Sequence, residues 1–154
     1  MRTIKWVLLA TGIIFIAIQF FRPARNKSAQ ASETDISRVV AIPDSVQLIL
    51  QKACYDCHSN NTNYPWYAYV QPVGWFLARD ITQGRDDLNF NEFGSYSLRR
   101  QLNKLEGIAD HIRENEMPLK SYKLMHKEAR LSENEKKLLI NWTELSAKNL
   151  SIEK

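Results

Sequence analysis

Hydrophobic positions along this chain fall into two regimes. From Trp6 to Phe21 there are 16 residues without a charge, and most are apolar. After Pro43 the apolar positions recur at intervals of three and four, the period of a helix buried along one face. Val46, Ile49, Leu50 and Ala53 set this period just behind Pro43-Asp44, a pair suited to a helix start. A second helical stretch is broken or restarted at Pro72 and ends near Gly84. Residues 85–96 read as a loop. A third helix, over roughly 97–114, has Leu98, Leu102, Leu105, Ile108, Ala109 and Ile112 on one face. A loop over 114–130 leads to a last helix opened by Ser132 and Glu135, the two ends of a capping box. Leu138, Leu139, Trp142 and Leu145 form its stripe. There is no sustained alternation and no hairpin dipeptide between apolar runs. The pattern predicts an all-α domain of four or five short helices, over residues 43–150.

The apolar run at the start is flanked by Lys5 and Arg22. At about 1.5 Å per residue it reaches roughly 24 Å, a little short of a hydrocarbon core of about 30 Å. Snorkelling of the two basic side chains extends it. Residues 1–27 are therefore expected to be a transmembrane helix that anchors the domain. The competing expectation is a cleaved signal segment, for which Ala29-Gln30-Ala31 offers a small-residue site. Residues 28–42 mix Ser, Ala, Gln and charges without a period and read as a tether.

Charge changes the picture little. The chain of 154 residues carries a formal +4. Five basic residues (Arg2, Lys5, Arg22, Arg25, Lys27) stand in the first 27 positions with no acid among them. The remainder is near neutral, which disfavours a nucleic-acid footprint, because that needs basic residues clustered on the folded domain.

The candidate chemistry lies in "CYDCHSNNTNYPWY", Cys54 to Tyr67, which holds both cysteines of the chain. Cys54, Cys57 and His58 stand as i, i+3 and i+4, one face of a helical turn. A structural zinc site wants four ligands, and no second pair is present. A thioredoxin-type pair opens a helix after a strand, whereas the segment upstream here is helical. The C-x-x-C-H pattern suits c-type haem: two thioethers tether the porphyrin, and the adjacent imidazole becomes the proximal iron ligand. In bacteria that attachment takes place on the outer face of the inner membrane. The N-terminus is then expected in the cytoplasm and the domain in the periplasm.

A proximal His leaves the sixth iron position to a Met, a His or nothing. Met117, directly before Pro118, is the favoured distal ligand, because the proline pins a short irregular loop. Met125, His111 and His126 stand as alternatives, with His111 expected to face solvent. The aromatic run Tyr64, Trp66, Tyr67, Tyr69, Trp75 and Phe76 is expected to wall the haem pocket. A backbone carbonyl between Pro65 and Pro72 is expected to orient the His58 Nδ1 proton. Arg79, Arg85, Arg99 and Arg100 are candidate propionate partners.

With "CYDCHSNNTNYPWYAYVQPVGWFLARDITQGRDDLNF", "EMPLKSY" and "ARLSENEKKLLINW" in this order, the chain resembles the bacterial haem-binding domain family, a small c-type-cytochrome-like group, over roughly residues 36–146. The resemblance implies a cytochrome-c-like helical domain around one covalent haem c, tethered to a membrane. Cys54, Cys57 and His58 map onto the haem-binding motif and Met117 onto the Met-Pro position. It implies electron delivery to a redox partner, such as a di-haem peroxidase-like protein or another cytochrome, and no bond chemistry of its own. A haem-based sensor or a peroxidase-like enzyme are the rival functions.

Overall fold

In a computed structural model, residues 2–28 and 32–152 are described. The protein is all-helical. Among the described residues seven α-helices follow in order: α1 (Arg2–Ile18), α2 (Asp44–Ala53), α3 (Tyr55–His58), α4 (Val73–Asp87), α5 (Leu98–Arg113), α6 (Lys120–Met125) and α7 (Glu133–Ile152). Four 3-10 turns lie between them, at Ile36–Arg38, Trp66–Tyr69, Phe90–Ser95 and Lys127–Ala129. Among the described residues the only extended pairing is an isolated bridge between Lys27 and Asn61.

α5 and α7 pack along one another. Their apolar faces, with Leu105, Ile112, Leu139 and Trp142, meet Val46, Ile49 and Leu50 of α2 in one core. Phe93 and Phe90, from the turn after α4, fill its centre. The periodicity expected for α2 and α5 is therefore realised, but that of α7 only in part: Leu139 and Trp142 are buried, whereas Leu138 and Leu145 are exposed and Thr143, Ser146 and Leu150 complete the inward face. α7 opens with the anticipated capping box: Ser132 N–H donates to Glu135 Oε2 at 2.8 Å, and Glu135 N–H to Ser132 Oγ at 3.3 Å. Glu135 also pairs with Lys52, which ties the start of α7 to the end of α2.

Three expectations need correction. Residues 85–96 are not an open loop: α4 continues to Asp87, and the turn behind it buries two phenylalanines. The tether reading of residues 28–42 fails for its described part. Ile36 is fully buried and Val40 nearly so. The turn is capped by Asp35, whose side chain accepts from Ser37 N–H. Gly94 N–H donates to Thr34 O at 2.7 Å, and a Cβ on Gly94 would meet that same carbonyl at 3.0 Å. Trp142 Nε1 donates to Ala41 O at 2.9 Å. A segment with only four large apolar residues in eleven, Ile36, Val39, Val40 and Ile42, shows no period, yet these residues seal the core.

The third correction concerns the first helix. No described helix is long and apolar enough to cross a membrane. α1 has 17 residues, about 25 Å of helix, and Arg2 and Lys5 occupy its first turn. The helix stops at Ile18, and Gln19 turns aside to bond the backbone of Gln71. The transmembrane-helix expectation is thus not met, although α1 buries none of its side chains. Ala29-Gln30-Ala31, the alternative cleavage site, lies outside the described residues.

Replacing Ile36 by Ala is expected to lower stability by about 2–5 kcal/mol, the cost of a cavity in a packed core. A denaturant midpoint measures it. A loss under about 0.5 kcal/mol, ordinary for an exposed site, would return residues 32–42 to the status of a linker.

Candidate functional site

Cys54 stands where the chain breaks between two helices. It ends α2 and begins α3, with φ −127° and ψ −42°. Its carbonyl receives two amides, Cys57 N–H at 3.1 Å and His58 N–H at 2.9 Å. That single turn brings Cys54, Cys57 and His58 to one side, as the i, i+3, i+4 spacing anticipates. α4 packs directly behind it. At Gly84 the approach is so close that a Cβ would meet the Cys57 carbonyl oxygen at 2.9 Å and its Cβ at 3.2 Å.

The His58 ring is oriented from the end of α4. Its Nδ1 lies 2.9 Å from Leu88 O. A carbonyl can only accept, so Nδ1 carries the proton and Nε2 keeps its lone pair. The orienting carbonyl is therefore that of Leu88, not one between Pro65 and Pro72. The segment 65–72 instead holds the N-terminal strap and the turn beside α4. Burial pushes the His58 pKa below its ordinary value, against the raising effect of the Leu88 and Gly84 carbonyls and of Asp87. The imidazole is accordingly held neutral. Desolvation pushes both thiols up from 9.0 to about 12, helped at Cys54 by Cys57 and at Cys57 by Asp56 and Asp80. Both are free cysteines, half-buried and protonated at neutral pH.

His58 opens onto a cleft in two lobes. One, of about 150 Å³, is lined by Cys54, His58, Met117 and His111, with apolar walls from Ala53, Leu88, Phe90, Ile108, Ile112 and Leu131. The other, of about 210 Å³, is lined by Cys57, His58, Met117, Gly84, Leu119 and Tyr122. Ala53, His58, Asp87, Met117 and Pro118 border both. Each cysteine thus lies at one lobe, with His58 and Met117 at their junction.

Met117 reaches the cleft through the end of α5. Asn115 takes φ 59°, a left-handed conformation that Asn tolerates at a helix end. The next two amides, Glu116 N–H and Met117 N–H, then fold back on His111 O at 3.0 and 3.2 Å. Pro118 is buried behind them.

The alternatives to Met117 separate in space. Met125 is half-exposed and borders a different hollow, beyond Cys57. His126 has both ring nitrogens engaged, by Tyr67 Oη at 2.7 Å and Glu128 Oε1 at 3.0 Å, and stacks on Tyr122 with centroids 4.2 Å apart. His111 is exposed, as expected, and bonds Glu116 at 2.7 Å, yet it also borders the first lobe.

The aromatic run does not wall the cleft. Gly74 and Ile81 are the buried residues of α4, so Trp75 and Phe76 point outward, and Trp66 and Tyr69 are exposed as well. The aliphatic face of α5 takes their place. None of the four candidate arginines lines either lobe. Arg79 pairs with Asp80, Arg85 with Asn60, and Arg100 stacks on Tyr96. The cation that does line the cleft is Lys104, 2.6 Å from Asp87.

Sequence reasoning also missed Gly107. It lies inside α5, where glycine costs about 1 kcal/mol relative to alanine. It lines the first lobe, and a Cβ built there meets nothing within 4 Å. The helix gives up a side chain where the cleft needs room. A neutral, oriented imidazole, two thiols at the edges, an apolar wall and this open spot together fit a flat apolar metal macrocycle.

A family model described as Haem-binding domain matches residues 13–145. The chain belongs to the haem-binding domain family. Its cofactor is haem. No curated protein and no solved structure matches the chain.

Two substitutions probe how the cleft is held. Gly107→Leu fills the first lobe and is expected to lower the haem-to-protein ratio of purified material several-fold while helicity is kept; full haem loading would show that the lobe is not used. Gly84→Ala drives a Cβ into the Cys57 backbone and is expected to cost about 1–3 kcal/mol, read as a lower thermal midpoint of the haem-loaded protein.

Proposed function

We propose that this haem protein is a mono-haem c-type cytochrome, attached to a membrane outside the cytoplasm, that passes single electrons between redox proteins. Haem held here would supply reversible one-electron iron chemistry. The chain's own residues do the rest. Cys54 and Cys57 would tether the porphyrin through thioethers. His58 presents Nε2 as the proximal ligand, with its ring held by Leu88 O. Met117 would offer its thioether to the iron, which would favour the reduced metal relative to a second imidazole. The aliphatic face of α5 excludes water. The observation that carries the reading is that Cys54, Cys57, His58 and Met117 border one two-lobed cleft.

Membrane attachment rests on α1. Ile4, Trp6, Val7, Leu8 and Leu9 are each more than half exposed, and consecutive apolar residues cover the whole circumference of a helix. A helix apolar all round needs an apolar surrounding, and a lipid layer supplies one. Covalent attachment of haem outside the cytoplasm agrees with export to the periplasmic side of a bacterial inner membrane. The partner is a second redox protein, such as a di-haem peroxidase-like protein or another cytochrome. No bond-making step is assigned to the site.

A second reading draws on His111. It stands at the same lobe as Met117 and offers an acid-base group near the sixth position, as a ligand-sensing or peroxidase-like protein would need.

The test is an optical spectrum and intact mass of protein matured in a host with haem-attachment machinery. Mass raised by one haem and a sulfur-to-iron charge-transfer band are expected, and Met117→Ala should abolish the band. A chain of bare polypeptide mass would overturn covalent attachment. A spectrum unchanged in the variant would move the sixth ligand elsewhere. Carbon monoxide should bind the reduced wild-type protein weakly; strong uptake would favour the His111 reading.

A further inference from the structure

Exposed apolar side chains on the body of this protein are not scattered. Beyond Phe21, twelve large hydrophobic residues are exposed among the described residues, and eight of them fall at 66–76 and 124–125. Trp66 is 74 % exposed and Phe76 57 %. Single exposed apolar residues are ordinary, but a contiguous group marks a surface that something covers. The turn after Pro65 and the first turn of α4 supply most of it. Val73, Phe76 and Met125 rim one hollow, whose floor includes Cys57.

This face is fastened to the end of α1. The Gln19 amide makes a reciprocal pair with the Gln71 backbone, Nε2 to O at 3.1 Å and N–H to Oε1 at 2.8 Å. Trp75 Nε1 donates to Phe21 O at 2.7 Å. Arg25 donates to Tyr69 Oη at 2.7 Å and lies over the Tyr69 ring at 4.2 Å. The bare helix therefore leaves the domain from within the patch, and the two apolar surfaces are continuous.

What covers α1 decides what covers the patch. A protein groove or a second copy buries one stripe of a helix, whereas α1 is apolar on every side, as a lipid-facing helix is. Tryptophan and tyrosine beside arginine is the composition of a lipid–water boundary. We propose that the face formed by residues 66–76 and 124–125 lies against the lipid surface, with its aromatic rings at headgroup level. This rests on the membrane-attachment reading above and extends it from α1 to the haem domain itself. The Cys57 side of the cleft then faces the lipid, and the α5 side, with Lys104 and His111, faces water.

The test is hydrogen–deuterium exchange of the full-length haem-loaded protein, with and without vesicles of phosphatidylethanolamine and phosphatidylglycerol. Amides of residues 64–77 should exchange several-fold more slowly on vesicles, with residues 98–113 unchanged. Protection confined to residues 2–21 would overturn the proposal while leaving attachment through α1 intact. Failure of the wild-type protein to bind vesicles would overturn attachment itself, and this extension with it. Protection of 64–77 that grows with protein concentration in the absence of vesicles would assign the face to a second copy and also overturn it. As a second measurement, the double variant Val73→Glu/Phe76→Glu, checked for an unchanged haem spectrum, should partition to vesicles about tenfold more weakly. Leu48→Glu, on exposed α2 surface, should not. A double variant that binds vesicles like the wild type but exchanges electrons more slowly with a soluble cytochrome would make the face a protein-docking surface and overturn the lipid assignment.

Discussion

The hydrogen bond from His58 Nδ1 to Leu88 O is the constraint on which the site turns. An imidazole that binds a metal must have one nitrogen free and the ring held in a fixed plane. The Leu88 carbonyl provides both, because it can only accept. That carbonyl is in place because α4 ends there: Leu88 N–H closes the last turn on Gly84 O at 2.9 Å. α4 in turn can lie this close to the cysteine turn only because residue 84 has no side chain. One glycine, one helix end and one carbonyl thus give the histidine of the C-x-x-C-H motif a fixed ring plane and a fixed tautomer.

The opposing wall is held by a separate set of contacts. α5 and α7 share the core, and the α5 terminus folds Met117 back through two amides on one carbonyl. The two walls are joined away from the cleft by the Lys52–Glu135 pair and by Phe93 in the core, and at its edge by Phe90. Phe90 also meets the His58 ring edge-on, with centroids 6.1 Å apart. Ligands placed on packed elements and supported by further hydrogen bonds are preorganised. The electron carrier proposed above would benefit from this, because little would have to move when the iron changed charge.

Much of this was legible in the sequence, and the limits have physical causes. The periods of α2 and α5, the capping box at Ser132 and the C-x-x-C-H turn are local signals, and each is realised; of the α7 stripe only Leu139 and Trp142 face inward. The same residues in the same order carried the family resemblance. The carbonyl of Leu88 was not legible, because any backbone carbonyl is chemically equal to any other and only the path of α4 selects it. Lys104 and Gly107 were missed because α5 reads as an ordinary amphipathic helix, and its role as a cleft wall depends on what packs across from it. The aromatic run misled for the opposite reason. Large rings suggest burial, yet Gly74 and Ile81 take the inward side of α4 and leave Trp75 and Phe76 outside.

The first 28 residues show why apolar length alone is a poor guide to how a segment is used. Hydropathy placed the end of the apolar run at Phe21, where Arg22 follows. The α-helix itself ends at Ile18; the amides of Gln19, Phe20 and Phe21 continue it as a tighter i→i−3 turn, and the Gln19 side chain bridges that turn to the domain. From there to Lys27 the chain is strapped down. Arg25 sits between Tyr64 and Tyr69, and Asn26 bonds Ser59 O, Thr62 and the Tyr64 hydroxyl. A flexible linker would let the domain tumble beneath its helix, whereas this strap gives the two a single relative orientation. The strap also anchors the Asn-rich turn that directly follows His58. Whatever surrounds α1 therefore sets the direction of the cleft as well.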